Sequence, residues 1–386
     1  MLMNTNKTLS TVAAFAILAV TSVSAQTTIN WASPSTGGLS VDANWEGGAR
    51  PTASDQIANF GNATANRTVI AYNGGIGGLL LGIEFSQTSP FQNIVELRRN
   101  VGFTNAIVLG ASGGGQVILR LDTALAAIAS ADTVDGGAYA AVAGASVRSL
   151  SAAGGITLNT GGALHLGKII NASGATIETV QLFNADTTIA GGELVVQNAR
   201  KTGSGNATRV TYTASGVGKG NITMSSGKIE VGAAYTGSTS GTTITDTNLK
   251  LSGALTLTGG TTLLHLFSTT DAAKIVSATT ITFGGDLVID LASGALADGA
   301  VFKLFETTEG LTGDFASVTL SGISQSLASD GNGLWTTDYN GFNYAFSAST
   351  GNLSISTSQI PEPSAVALLA GISTLALVIG LRRLKR

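Results

Sequence analysis

The sequence holds two histidines, His165 and His265, the side chains best suited to moving a proton near neutral pH. Each falls in a run with strand-like alternation. In Gly162-Ala-Leu-His-Leu166 the period of two sends Leu164 and Leu166 to one face and turns His165 to the other. A metal pair or a general base would require the fold to bring the two histidines together. Separate, solvated strand positions are the simpler expectation. Asp286 and Asp290 share a face of the run Asp286-Leu-Val-Ile-Asp290 but lie ~13 Å apart along an extended chain. That is too wide for either arrangement of paired glycosidase carboxylates. A partner on a neighbouring strand could rescue the chemistry, yet no residue is singled out for it, and surface charge is the default for such acids.

Other candidates carry less. Asp330-Gly-Asn-Gly333 looks like a fragment of a calcium loop without the later carboxylates that complete such a site, so a tight turn is expected. Arg98 and Arg99 beside Glu96 could touch an acidic glycan or simply form a local ion pair. Gly74-Gly75-Ile-Gly-Gly78 lacks the lysine and the helix of a phosphate cradle. No zinc-type His/Glu spacing and no serine-nucleophile elbow occurs. Cysteine is absent, which removes disulfides, thiolate metal sites and cysteine nucleophiles together. No catalytic residue, metal ligand or cofactor is therefore assigned from sequence.

The elements that must carry these residues are short strands. Among 386 residues only 11% are charged, and Ser, Thr, Asn and 51 glycines take their place, a mixture that favours strands and turns. One pattern keeps returning: glycine, any residue, then two aliphatic residues separated by one position. It occurs at Gly115-Gln-Val-Ile-Leu119, Gly162-Ala-Leu-His-Leu166, Gly192-Glu-Leu-Val-Val196, Gly227-Lys-Ile-Glu-Val231, Gly253-Ala-Leu-Thr-Leu257, Gly285-Asp-Leu-Val-Ile289 and Gly351-Asn-Leu-Ser-Ile355. Between 162 and 285 the copies start 30, 35, 26 and 32 residues apart, the recurrence expected of a chain that winds and stacks like strands on one another. The expected fold is all-β, a right-handed parallel β-helix in which inward aliphatics stack and glycines supply positive-φ corners. An antiparallel β-sandwich is the alternative, because irregular spacing and abundant turns fit it too. The alanine-rich piece from Ala124 to Ala145 departs from the pattern and fits a capped helix, a lateral loop or small-residue coils.

The two ends read as addresses. Residues 1–25 form a signal peptide: Lys7 gives the positive start, Val12 to Val20 the apolar stretch, and Val23-Ser24-Ala25 the cleavage site before Gln26. This implies signal peptidase and the general secretion machinery as partners. At the other end Ser364 to Leu381 is uncharged and long enough to span a bilayer. Arg382, Arg383, Lys385 and Arg386 follow it and would stay cytoplasmic, leaving everything before the helix on the far side of the membrane. Pro361 and Pro363 fix their own φ and push Ile360 and Glu362 towards extended geometry, a stiff stalk just outside the bilayer. Residues 26–358 are then the exported β-rich domain and 359–386 the sorting segment. With Lys7, Glu362 and the four basic tail residues set aside, 15 positive and 22 acidic side chains remain, about −7 in all. Nucleic acid, which calls for a basic face, is not an expected partner.

Pro361-Glu362-Pro363-Ser364, the apolar helix and the basic cluster ending at Arg386 together resemble the PEP-CTERM sorting signal of gram-negative, biofilm-forming bacteria. The resemblance implies recognition by exosortase, an integral-membrane cysteine protease or transpeptidase that removes or exchanges the tail. Trp31, Asn44-Trp45, Pro51, Asp55 and Ala58-Asn59-Phe60-Gly61 resemble the first coil of exported proteins with autotransporter-associated β-strand repeats. Phe302-Lys-Leu-Phe305, Gly310-Leu-Thr-Gly-Asp-Phe315 and Trp335 resemble the closing strands of the same group. These aromatics would seal the open ends of a stack. The functional expectation is a non-enzymatic structural or adhesive protein of the cell surface or extracellular matrix, associated with exopolysaccharide. The alternative is a β-helix polysaccharide lyase or glycoside hydrolase with a shallow groove. A tail left uncleaved would instead give a permanently anchored periplasmic protein.

Overall fold

The computed structural model describes residues 26–34, 36–71, 79–97, 101–121, 150–167, 169–170, 180–201, 209–215, 220–235, 241–291 and 298–358. Ala25 and the rest of the expected signal segment, the glycine run 74–78, Arg98, Arg99, the alanine-rich piece 124–145 and the expected sorting segment from 359 to 386 lie outside them. Among the described residues no helix is long and apolar enough to cross a membrane. The expected span at 364–381 is not among them.

The chain is all-β, and its sheets are mostly parallel. The main path of a 16-stranded sheet runs in chain order through Arg67–Ala71, Gln92–Leu97, Gln116–Leu121, Gly162–Leu166, Thr187–Gln197, Ile222–Ala233, Thr261–Leu266, Asp286–Leu291 and Ser317–Leu320. Each pair along that run is parallel. An eight-stranded sheet, from Leu79–Leu80 to Phe305–Thr307, is parallel throughout and also follows chain order. An antiparallel sandwich requires the reverse pairing, and among the described residues only the five strands Val301–Lys303, Ala328–Ser329, Leu334–Tyr339, Phe342–Ser347 and Asn352–Thr357 form a fully antiparallel sheet. Parallel neighbours need long connections, which is why the glycine pattern recurs at about thirty residues and not at hairpin spacing.

Six copies of that pattern fall on strands of the 16-stranded sheet, and the seventh, at Gly351, falls in the antiparallel one. Register explains their apolar positions. Val69, Val95, Leu119, Leu164, Leu194, Ile229, Thr262, Leu287 and Val318 pair successively across nine strands, and every one is fully buried. Two residues on, Ala71, Leu97, Leu121, Leu166, Val196, Val231, Leu264, Ile289 and Leu320 form a second buried column. At ~4.8 Å between strands these columns are continuous apolar contacts, each side chain contributing roughly 1.5–3 kcal/mol by leaving water. From the facing sheet Tyr212, Leu249, Ile275 and Phe305 join the same core as a registered column.

The pattern's glycines serve partly for a reason other than positive φ. Gly227 does turn left-handed, at φ 93°. Gly162 does not; a Cβ there would sit 2.2 Å from the Leu109 carbonyl oxygen, so it is glycine because one turn lies directly against the turn before it. Rings gather near the two ends of the strand order. Trp31 meets Trp45 edge-on at 5.1 Å with Phe60 and Phe85 beside them, and Phe283, Phe305, Phe315 and Phe346 form the second group. Trp45 donates its indole N–H to the Leu39 carbonyl and Trp335 donates to Asp314, so each has a partner where it is buried.

Candidate functional site

The outer face of the long sheet is where the sequence's titratable candidates come together. Residues one place away from the buried columns must point outwards, and parallel register sets those of successive strands side by side. The pairing His265↔Asp290 is direct, and Glu230 lies one strand away in the other direction. A chain of contacts follows. Lys228 Nζ sits 3.3 Å from Glu193 and 2.9 Å from Glu230. His265 Nε2 is 3.0 Å from Glu230 Oε1, and its Nδ1 is 2.9 Å from Asp290 Oδ2. The Ser321 hydroxyl donates to the other Asp290 oxygen at 2.7 Å, and Ser317 donates to Asp286 at 2.6 Å. The ring of Phe267 lies nearly parallel to the His265 imidazole.

The electrostatics follow from this geometry. For His265, burial alone would lower the pKa, but the hydrogen bond and charge of Glu230, with Asp290 on the other side, outweigh it and the net shift is upward. Lys228 is likewise raised, the carboxylates of Glu230 and Glu193 overcoming its burial. The Glu230 carboxyl is pulled down to about 2, chiefly by the hydrogen bond to His265, against its own burial and with help from Lys228. His265 has both nitrogens committed to carboxylates, which is the arrangement of an imidazolium held as a structural cation. Neither nitrogen is left to take a proton from a substrate.

His165 has a different fate. It occupies the strand Gly162–Leu166, which Thr187–Gln197 and Ile222–Ala233 separate from the strand of His265. The structure does not bring the two histidines together. Burial, then the nearby charges of Arg120 and Lys228, push His165 down to about 4, so it is neutral at pH 7. Its Nδ1 is buried without a hydrogen-bond partner among the described residues. Neither ring is the freely solvated strand residue that alternation alone implies, because long side chains from adjacent strands cover the outward positions.

Asp330 accepts the backbone N–H groups of Asn332 at 2.7 Å and Leu334 at 3.0 Å, which lowers its pKa and makes the segment a tight turn. Glu96 is buried and lies 3.8 Å from Arg120 of the next strand. Among the described residues no group of three or more His, Asp or Glu is placed to hold a metal ion. Of the residues expected to take part in processing, Gln26 is described and exposed. Ala25, Pro361, Glu362, Pro363, Arg382, Arg383, Lys385 and Arg386 are not described.

Sequence reasoning passed over Glu193, Lys228 and Glu230. Aligning the repeat copies on their glycines would have exposed them, since Glu193 and Lys228 each follow the glycine directly and pair with one another, while Glu230 holds the outward place that His165 holds in its own copy. The site is thus a network of alternating carboxylates and cations on the outer face of a parallel β-sheet. No family model, no curated protein and no solved structure matches this chain.

Proposed function

We propose that this protein is an exported, non-enzymatic structural or adhesive component of the cell surface or extracellular matrix, built as a right-handed parallel β-helix. The observation that carries the reading is the pairing of the outer-face charges among themselves: Lys228 is held between two carboxylates, and both ring nitrogens of His265 are engaged by carboxylates. The in-register buried columns and the chain-order parallel sheets support a coil that stacks on itself. The polar, sparsely charged exterior suits association with exopolysaccharide. The route is proposed from the ends of the sequence: signal peptidase acting between Ala25 and Gln26, then an exosortase-type enzyme acting at the Pro361-Glu362-Pro363 stalk. Fractionation of cells with and without that sorting enzyme tests the route. Surface or medium localisation that depends on the enzyme is expected, and a cytosolic passenger would end the reading.

A second reading, a glycan lyase or hydrolase, is favoured by one observation, the convergence of Glu230 and Asp290 on His265. Incubation of the protein with exopolysaccharide decides between them. The first reading expects no new reducing or unsaturated ends; turnover that disappears in Glu230→Gln would establish the second.

A further inference from the structure

A second outward row crosses the same sheet and differs in kind. The strands Ile107–Leu109, Ile156–Asn159, Thr187–Gln197, Ile222–Ala233, Leu255–Leu257, Thr280–Phe283 and Gly310–Gly313 pair in that order. Their register sets Val108 and then Thr157, Thr188, Thr223, Thr256, Thr282 and Thr312 side by side, a threonine on six of the seven strands. The residues on either side of the first five threonines, such as Ile222 and Met224 or Leu255 and Leu257, are buried, so the threonines face outwards; beside Thr312, Leu311 is partly buried and Gly313 exposed. Thr188, Thr223 and Thr312 are exposed and the others partly so. The result is a straight rank of hydroxyls repeating every ~4.8 Å.

Sheet stability alone does not account for this rank. Strand propensity admits Val, Ile or Tyr at such places as readily as Thr. The neighbouring outward row on the same sheet runs Ile70, Glu96, Arg120, His165, Val195, Glu230, Leu263, Val288 and Thr319, with no one residue type held throughout. Cross-strand hydroxyl bonding could favour threonine, but only Thr282 and Thr312 bond each other, at 3.2 Å. The hydroxyls of Thr157, Thr188, Thr223 and Thr256 have no hydrogen-bond partner among the described residues.

Beside the first two threonines of the rank, two residues further along their strands, lies an open groove of about 560 Å³ whose lining includes Phe85, Thr88, Ser112, Asn159, Thr160 and Ala190. Asn159 stands two residues beyond Thr157 on one strand, and Ala190 two beyond Thr188 on the next. No charged residue lines the groove. The side chains of Thr88, Ser112, Asn159 and Thr160 likewise find no partner among the described residues. This shallow surface recess offers uncommitted donors and acceptors and one aromatic ring to a ligand lying along the sheet.

We infer that the threonine rank and this groove form one track for an extended, neutral polysaccharide, lying across the strands with about one sugar per strand. The inference rests on the display role proposed above and names its ligand and face. Absence of charge removes any preference for acidic glycans, and an even hydroxyl spacing matches a polymer of evenly repeated hydroxyls. Each hydrogen bond contributes only ~0.5–1.5 kcal/mol net, so binding must accumulate along the chain.

The test uses the full-length protein purified in a detergent without a sugar headgroup. Calorimetry with neutral glucan oligosaccharides, from disaccharide to octasaccharide, should show affinity rising at least tenfold before it levels off. The double substitution Thr188→Val and Thr223→Val, which keeps shape and strand propensity, should weaken the longest oligosaccharide about tenfold at an unchanged denaturation midpoint. Ala190→Trp, which fills the groove, should shorten the length at which affinity levels off. Binding that ignores chain length, survives the double substitution, favours oligogalacturonate, or is absent at millimolar sugar overturns the track. A protein found at the cell surface but failing these measurements loses the track and keeps the display role; one retained in the cytosol loses the display role itself.

Discussion

Leu164 and His165 are neighbours in the chain and belong to different worlds. Leu164 stands in a column that is fully buried across nine strands and aliphatic in all of them but one. His165 stands in a row that changes from Arg120 to His165 to Val195 to Glu230. The inward column is governed by one requirement repeated at each strand, the exclusion of water from a narrow core. The outward row is governed by whatever the adjacent strand offers. A repeated interior therefore fixes how the chain stacks, while the exterior is left open to carry differences.

The sharpest break of that contrast is in the column. Leu164→Ala should cost about 2–5 kcal/mol, since the strands on either side hold their spacing and leave the cavity unfilled. A clear fall in the denaturant midpoint is the measurement. A change at an exposed outward position of the same sheet, such as Thr188→Ser, should leave the midpoint almost unmoved.

Next in size is the ionic network itself. Glu230→Gln preserves the side chain's shape but removes the charge that Lys228 and His265 both approach. A loss of about 2 kcal/mol at neutral pH is expected, as for charge-assisted hydrogen bonds in partly buried settings. NMR titration of His265 in this variant should show its pKa falling, because the leading upward influence has gone.

These two predictions draw on unequal amounts of sequence information. The strand carrying Leu164, its inward residues and the recurrence of its kind were all legible, because a period of two and a glycine at the turn are local signals. Pairing of His265 with Asp290 and Glu230 was not, since it joins residues 25 and 35 positions apart through a register that no local pattern specifies. That aromatic rings gather near the two ends of the strand order was legible from ring type and position. That Gly162 serves close approach and not positive φ was invisible, because it depends on where the Leu109 carbonyl lies.

Thr262 sharpens the comparison from inside. It is the single polar member of the first column, fully buried, and its hydroxyl has no partner among the described residues. Thr262→Val is isosteric and should stabilise the protein by about 1 kcal/mol, the release of an unsatisfied buried group. A raised midpoint is expected; a lowered one would show that the hydroxyl is bonded.

The smallest effects separate the two histidines by sign. His265 has a raised pKa in the folded protein. Its favourable contribution is complete below the ordinary value of 6.5 and fades as pH climbs through the higher native value. His165 is depressed to about 4, so its neutral form is the one the fold accepts, and a penalty grows as pH falls from 6.5 towards 4. Measured against His265→Gln, the protein should lose stability as pH rises past 6.5. Measured against His165→Gln, it should lose stability as pH falls. Each change should be on the order of 1 kcal/mol or less, because both rings keep some contact with solvent. Equal slopes in the two comparisons would mean that the outward row treats its two histidines alike, and the distinction between a paired cation and a covered neutral ring would fail.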